Sequence, residues 1–79
     1  MKVEQFHVKN QFVIKDDNAT YFQSYNSIIA KISNGVVTLG SNWDYSKTTG
    51  RYRNMFLGED KRETEGRLAS GEYKIDPKL

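Results

Sequence analysis

The sequence predicts an α+β fold: a small antiparallel four-stranded β-meander covered by one or two short C-terminal helices. Three observations predict it. Up to about residue 40, apolar and polar side chains alternate in short runs separated by turn residues. Asn34-Gly35 sits between two apolar runs, the strongest short-range hairpin signal. Beyond Trp43 the apolar period changes to three and four, the spacing of one helix face.

Taken in order, a first strand is expected over residues 5–15. Phe6, Val8, Phe12 and Ile14 are all at even positions and would share an apolar face across the polar pair Asn10-Gln11, where a bulge would change the phase. Asp16, Asp17, Asn18 and Ala19 form a turn, because Asp and Asn hydrogen-bond their own backbone. Residues 20–25 make a second strand, with Phe22 and Ser24 on one face and Tyr21, Gln23 and Tyr25 on the other. Residues 27–33, SIIAKIS, fit either a strand with Ile28, Ala30 and Ile32 inward or one helical turn packing Ile28, Ile29 and Ile32. The following Asn34-Gly35 favours the strand, and Val36 to Leu39 then returns beside it.

Residues 43–58, WDYSKTTGRYRNMFLG, supply the cover that a sheet with one apolar face needs. Ser46 is placed to cap a helix, with Asp44 a second candidate. Tyr45, Thr49, Tyr52, Met55 and Phe56 recur on one side, and Gly58 suits the left-handed residue after the last turn. Thr48, Thr49 and Gly50 are poor helix formers, so the firm helix is expected over residues 51–57. Trp43 in a chain this small is first a core anchor, with an interface hot spot the second reading.

The charged run EDKRETEGRLAS follows. Asp60 and Glu63 have the spacing of a capping box, Gly66 weakens the helix and Gly71 ends it. Leu68 and Ala69 are its core candidates. Tyr73 and Ile75 would share one face of a short edge strand over residues 72–75, and Pro77 stops it. The chain thus reads as one domain over residues 1–79: a meander at about 3–40, a helical part at about 44–70 and the edge strand.

Composition narrows the function classes. With no Cys there is neither a disulfide framework nor a thiolate metal site. His7 is the only His, so no metal or other cofactor is expected. No run approaches the roughly 20 apolar residues of a membrane span, and the N-terminus lacks the apolar core of a signal peptide. No nucleophile elbow or phosphate-binding glycine loop is present, so the expectation is a binding protein, not an enzyme. Twelve Lys and Arg against ten Asp and Glu give a net charge of +2, too balanced to imply nucleic acid by itself.

The candidate partner-binding residues are Lys47, Arg51 and Arg53 on the helix, and Glu59, Asp60, Glu63 and Glu65 after it. The cations suit phosphate or an acidic protein patch. The acids could meet a basic nucleic-acid channel as a phosphate substitute. A small nucleic-acid-binding accessory protein is the alternative; it needs aromatic rings beside the cations, yet Tyr45 and Tyr52 fall on the expected core face. A structural component associating through an open sheet edge is the third class.

The runs FQSYNSIIAKI, WDYSKTTGRYRNMFLGE and ASGEY resemble a domain-of-unknown-function family of small phage and prophage proteins of Gram-positive bacteria. The residues that carry the resemblance are Ser24, Tyr25, Ser27, Ile29 and Ala30, then Trp43, Asp44, Tyr45, Ser46, Thr48, Thr49, Tyr52, Arg53, Phe56, Leu57, Gly58 and Glu59. It transfers no functional residue. It implies a phage or mobile-element setting in the host bacterial cytoplasm. Small phage proteins there often inhibit a host defence enzyme by stoichiometric binding, a CRISPR effector nuclease foremost, so an anti-CRISPR or other anti-defence role is expected.

Overall fold

The computed structural model describes all 79 residues. It is a small α+β domain with a six-stranded, mostly antiparallel sheet and two helices. The strands are β1 Lys2–Gln5, β2 Gln11–Lys15, β3 Thr20–Ser24, β4 Ser27–Ser33, β5 Val36–Leu39 and β6 Lys74–Ile75; the helices α1 Lys47–Leu57 and α2 Lys61–Ser70 lie between β5 and β6. Spatial order follows chain order, and every pairing is antiparallel except β5 with β6.

The meander therefore has five strands where four were expected, and the edge strand expected over residues 72–75 forms as the shorter β6. The expected single strand over residues 5–15 is a hairpin, with Val3 opposite Ile14 and Gln5 opposite Phe12. Its connection turns because His7 and Asn10 take positive φ, 69° and 72°, a conformation Asn tolerates better than most residues. This break also reverses the expected face. Gln11 pairs with Ser24 and Val13 with Phe22, so these residues, not Phe12 and Ile14, point to the covered side. Phe6 still reaches the core from the loop, with its ring centroid 5.8 Å from Phe22 and 6.3 Å from Phe56.

Residues 27–33 form a strand. The expected alternation fails at one point, because the β3–β4 register shifts between Phe22 and Gln23, which pair with Ala30 and Ile28. Ile29 is the extra residue. The bulge lets both Ile29 and Ala30 be buried while Ile28 and Ile32 are half-buried. Asn34 and Gly35 both have positive φ, as a two-residue hairpin turn requires.

The core is Phe22, Ile29, Ala30, Leu39, Tyr52 and Tyr73, with Phe6, Val37, Trp43, Phe56, Leu57 and Leu68 packed on it. Phe22 stacks on Phe56 at 5.6 Å, which seats α1 on β3. Gln11 lies wholly inside, and neither polar atom of its carboxamide has a partner.

Helix α1 starts four residues earlier than its firm part was expected to, at Lys47. Ser46 accepts from Thr49 N at 3.1 Å, and the Thr49 hydroxyl shares a buried 2.9 Å hydrogen bond with Ser24. These bonds hold the poor helix formers Thr48, Thr49 and Gly50 in the first turns. Gly58 is left-handed, and its N–H donates to Asn54 O. Helix α2 forms in full on the Asp60–Glu63 capping box and ends at left-handed Gly71. Of its two core candidates, Leu68 is half-buried, whereas Ala69 is exposed.

Candidate binding surface on the first helix

Helix α1 buries Thr49, Gly50, Tyr52 and Arg53. Tyr45 and Met55, expected on that face, are 72% and 46% exposed. Tyr45 precedes the cap and so is not carried onto the helix face.

Arg53 is the larger correction. It was grouped with an exposed cationic side, but only 1% of it is accessible. Its guanidinium donates to Trp43 O at 2.7 Å and to Asn54 Oδ1 at 2.9 Å, and lies 5.1 Å from the Trp43 ring centroid. It also faces Asp44 at 3.5 Å, and Asp44 pairs with Lys61 at 2.9 Å. The hydrogen bond from Lys61 is the main reason the Asp44 carboxyl titrates below its ordinary value; burial opposes this and the charges of Lys61 and Arg53 add to it. Arg53 thus fastens the loop before α1 to the helix, and Asp44 extends the fastening to α2.

The acidic residues divide in the same way. The Glu59 side chain is 6% exposed and accepts from Thr64 Oγ1 at 2.6 Å and Tyr73 OH at 2.7 Å, with Arg67 Nε at 3.2 Å. Burial first, then the bond to Glu59, pushes the Tyr73 hydroxyl up to about 12. Asp60 and Glu63 are occupied by the capping box, Glu63 N to Asp60 at 2.8 Å and Asp60 N to Glu63 at 3.2 Å. Of the four acids, Glu65 is exposed and has neither a hydrogen bond nor an ion pair at its side chain.

Lys47 and Arg51 are exposed and lie along one groove with Lys61. The groove holds about 680 Å³ and is lined by Asp44, Ser46, Gly50, Arg53 and Asn54 as well as those three cations, with no hydrophobic side chain. Arg51 lies over the Tyr52 ring at 5.7 Å, which restrains its guanidinium. Lys61 was missed in the sequence. Its membership depends on the pairing with Asp44 across seventeen positions, for which no local pattern exists.

A second depression meets this groove at Ser46. It holds about 630 Å³ between the β3–β4 turn and the start of α1. Its lining includes Tyr25, Asn26, Asn42, Tyr45, Ser46 and Thr48, over buried Ser24, Ile29 and Thr49. Tyr25 has φ 54°, uncommon for a bulky residue, and is pinned there by Tyr25 N to Asn10 O at 2.7 Å and Gln23 Nε2 to Tyr25 O at 2.7 Å.

No group of three or more His, Cys, Asp or Glu side chains is positioned to hold a metal ion, and no helix is long and apolar enough to cross a membrane. No curated protein and no solved structure matches the chain. A family model does match, over residues 1–72, covering the meander, both helices and the turn after them. The chain belongs to that family, a family of unknown function (DUF8033).

Proposed function

We propose that this chain is a binding protein that acts by occupying an anionic surface. On this reading it is a phage or mobile-element protein that inhibits a host defence enzyme stoichiometrically, with CRISPR effector nucleases the first class to test. The observation that supports it is the groove that presents the exposed cations Lys47 and Arg51, with Lys61 paired to Asp44 beside them and no apolar residue in the lining. Such a surface steers an acidic partner toward one docking register. The phage setting comes from the resemblance carried by the runs already quoted, not from the groove.

The bonds made by Glu59, Asp60 and Glu63 count against those three acids as the contact. Glu59, Asp60 and Glu63 accept bonds that hold the fold, so reversing them would test folding before it tested inhibition. The informative reversal is Lys47→Glu with Arg51→Glu, both exposed. Tagged parent and variant are used to capture partners from a host lysate, with and without nuclease. A protein held by the parent after nuclease treatment, and lost with the variant, supports the reading. Equal capture by the variant refutes it.

One observation favours a second reading, binding of single-stranded nucleic acid. Tyr45 is 72% exposed, not packed in the core, and lines the depression that meets the Lys47 groove at Ser46. That restores the aromatic-beside-cation surface on which single strands are held. Capture that disappears with nuclease treatment moves the assignment there.

A further inference from the structure

We infer that the depression holding Tyr25 and Tyr45 is a binding site for one or more unpaired nucleobases, with the strand's phosphates running along the groove past Lys47 and Arg51. The inference rests on the nucleic-acid reading above and adds to it a base site with named residues.

Three features carry it. First, the lining has the chemistry of a base site. Two tyrosines, 47% and 72% exposed, line it and supply aromatic surface for a planar ligand, and Asn26 and Asn42 supply amide donors and acceptors for a base edge. Asn42 is oriented by its bond from Nδ2 to Ser27 Oγ at 3.0 Å, which leaves its carbonyl oxygen as an acceptor. Its volume, about 630 Å³, is within the roughly 300–1,000 Å³ typical of small-ligand sites.

Second, the site is held in shape before any ligand arrives. The Tyr25 backbone is fixed despite its unusual φ, by its own N–H donating to Asn10 O and by the Gln23 side chain donating to its carbonyl. The floor is tied together by Ser46 Oγ donating to Thr49 Oγ1 at 3.2 Å and by the Thr49–Ser24 bond at 2.9 Å. Preorganisation of this kind lowers the ordering cost of binding.

Third, the neighbour has the complementary charge. Ser46 lines both the depression and the cationic groove, so the two are continuous. An isolated sugar or neutral peptide would need the depression alone. A nucleotide strand needs rings and cations side by side, and this is the pairing observed.

The test uses fluorescence anisotropy with labelled single-stranded oligonucleotides, a mixed-sequence ten-mer and its abasic counterpart. The abasic strand keeps the phosphates and lacks the rings. The inference expects the normal strand to bind at least tenfold tighter than the abasic strand, since stacking is worth on the order of 1–3 kcal/mol per base. Tyr45→Ala and Tyr25→Ala should each remove most of that difference while leaving the salt dependence unchanged. Lys47→Ala with Arg51→Ala should instead flatten the salt dependence for both strands. Tyr45→Phe, which keeps the ring, should bind like the parent, and circular dichroism with urea unfolding checks that each variant is folded. If both strands bind equally well and the tyrosine variants change nothing, the groove reading stands and the base site is refuted. If neither strand binds, both are refuted. Neutral oligosaccharides that compete with the normal strand for Tyr25 and Tyr45 also overturn the base assignment.

Discussion

Replacing Arg53 with Ala should unfold more of this protein than any other single removal of charge. Arg53 is 1% exposed and makes two hydrogen bonds, a ring contact and an ion pair. Without it, Trp43 O loses its donor, and an unpaired buried acceptor costs about 1–3 kcal/mol. The lost ring contact adds roughly 0.5–2 kcal/mol, and the emptied volume adds more. Asp44 limits the damage, because its carboxylate is partly exposed and keeps Lys61. The expected loss is therefore about 3–4 kcal/mol. At about 0.05–0.15 kcal/mol per residue, the 79 residues have roughly 4–12 kcal/mol of stability to lose it from. Urea unfolding followed by the fluorescence of Trp43, the sole Trp, reads the change directly. With a urea dependence of about 1 kcal/mol/M for a chain this small, the midpoint should fall by roughly 3 M or the variant should be unfolded in buffer. Arg53→Lys, which keeps the charge but loses the planar fork, should fall between. Arg51→Ala is the control, exposed and expected within about 0.5 kcal/mol of the parent. A loss under about 1 kcal/mol for Arg53→Ala would refute the fastening role and return Arg53 to the candidate contact surface.

Four further outcomes are expected. Gly66→Ala should stabilise α2 by about 1 kcal/mol, since a Cβ there meets nothing within 4 Å, raising Tm by roughly 4–8 °C in calorimetry; Gly40→Ala should do the reverse, because its Cβ would collide with the carbonyl of Ile28. Gln11→Met keeps the volume and removes two buried unpartnered atoms, so the urea midpoint should rise by the equivalent of about 1 kcal/mol or more. Tyr73 titrates near 12 in the folded chain against 10 unfolded. Its hydroxyl therefore stabilises fully below pH 10, and the benefit is lost as pH rises from 10 through 12. Tyr73→Phe should remove that decline, measured as the urea midpoint against pH.

Legibility in the sequence followed the range of the interaction. The helix caps at Ser46, Gly58, Asp60 with Glu63, and Gly71 are bonds between neighbours, and each could be read from spacing. The Asn34-Gly35 turn was legible for the same reason. The β1–β2 hairpin was not, because its loop turns on His7 and Asn10 and carries neither Gly nor Pro. That one omission placed Phe12 and Ile14 on the wrong face. At the candidate site, charge was visible but its use was not. Lys47 and Arg51 are free, whereas Arg53 and Glu59 are spent on partners ten and fourteen positions away, a backbone carbonyl and a tyrosine hydroxyl. Tyr45 was misjudged because the helix period was extended one residue past its cap, and the correction turned a supposed core residue into the centre of the proposed surface.

The parallel pairing of β6 with β5 also sets an expectation for the order of assembly. Strands β1 to β5 pair only with their chain neighbours, so their loops are short and their closure is fast. Thr38 and Leu39 meet Lys74 and Ile75 only after both helices have been made and turned back, and that longer closure costs more chain entropy. Until then β5 presents an unpaired edge, the surface on which nascent chains add to one another. The bonds that end the wait are few: the two-residue β6, Asp76 N to Leu39 O at 2.8 Å, and the Tyr73–Glu59 pair behind them. A seam this thin is expected to open more readily than the pairings among β2, β3 and β4. The rate at which its amides exchange with solvent gauges how long β5 stays guarded.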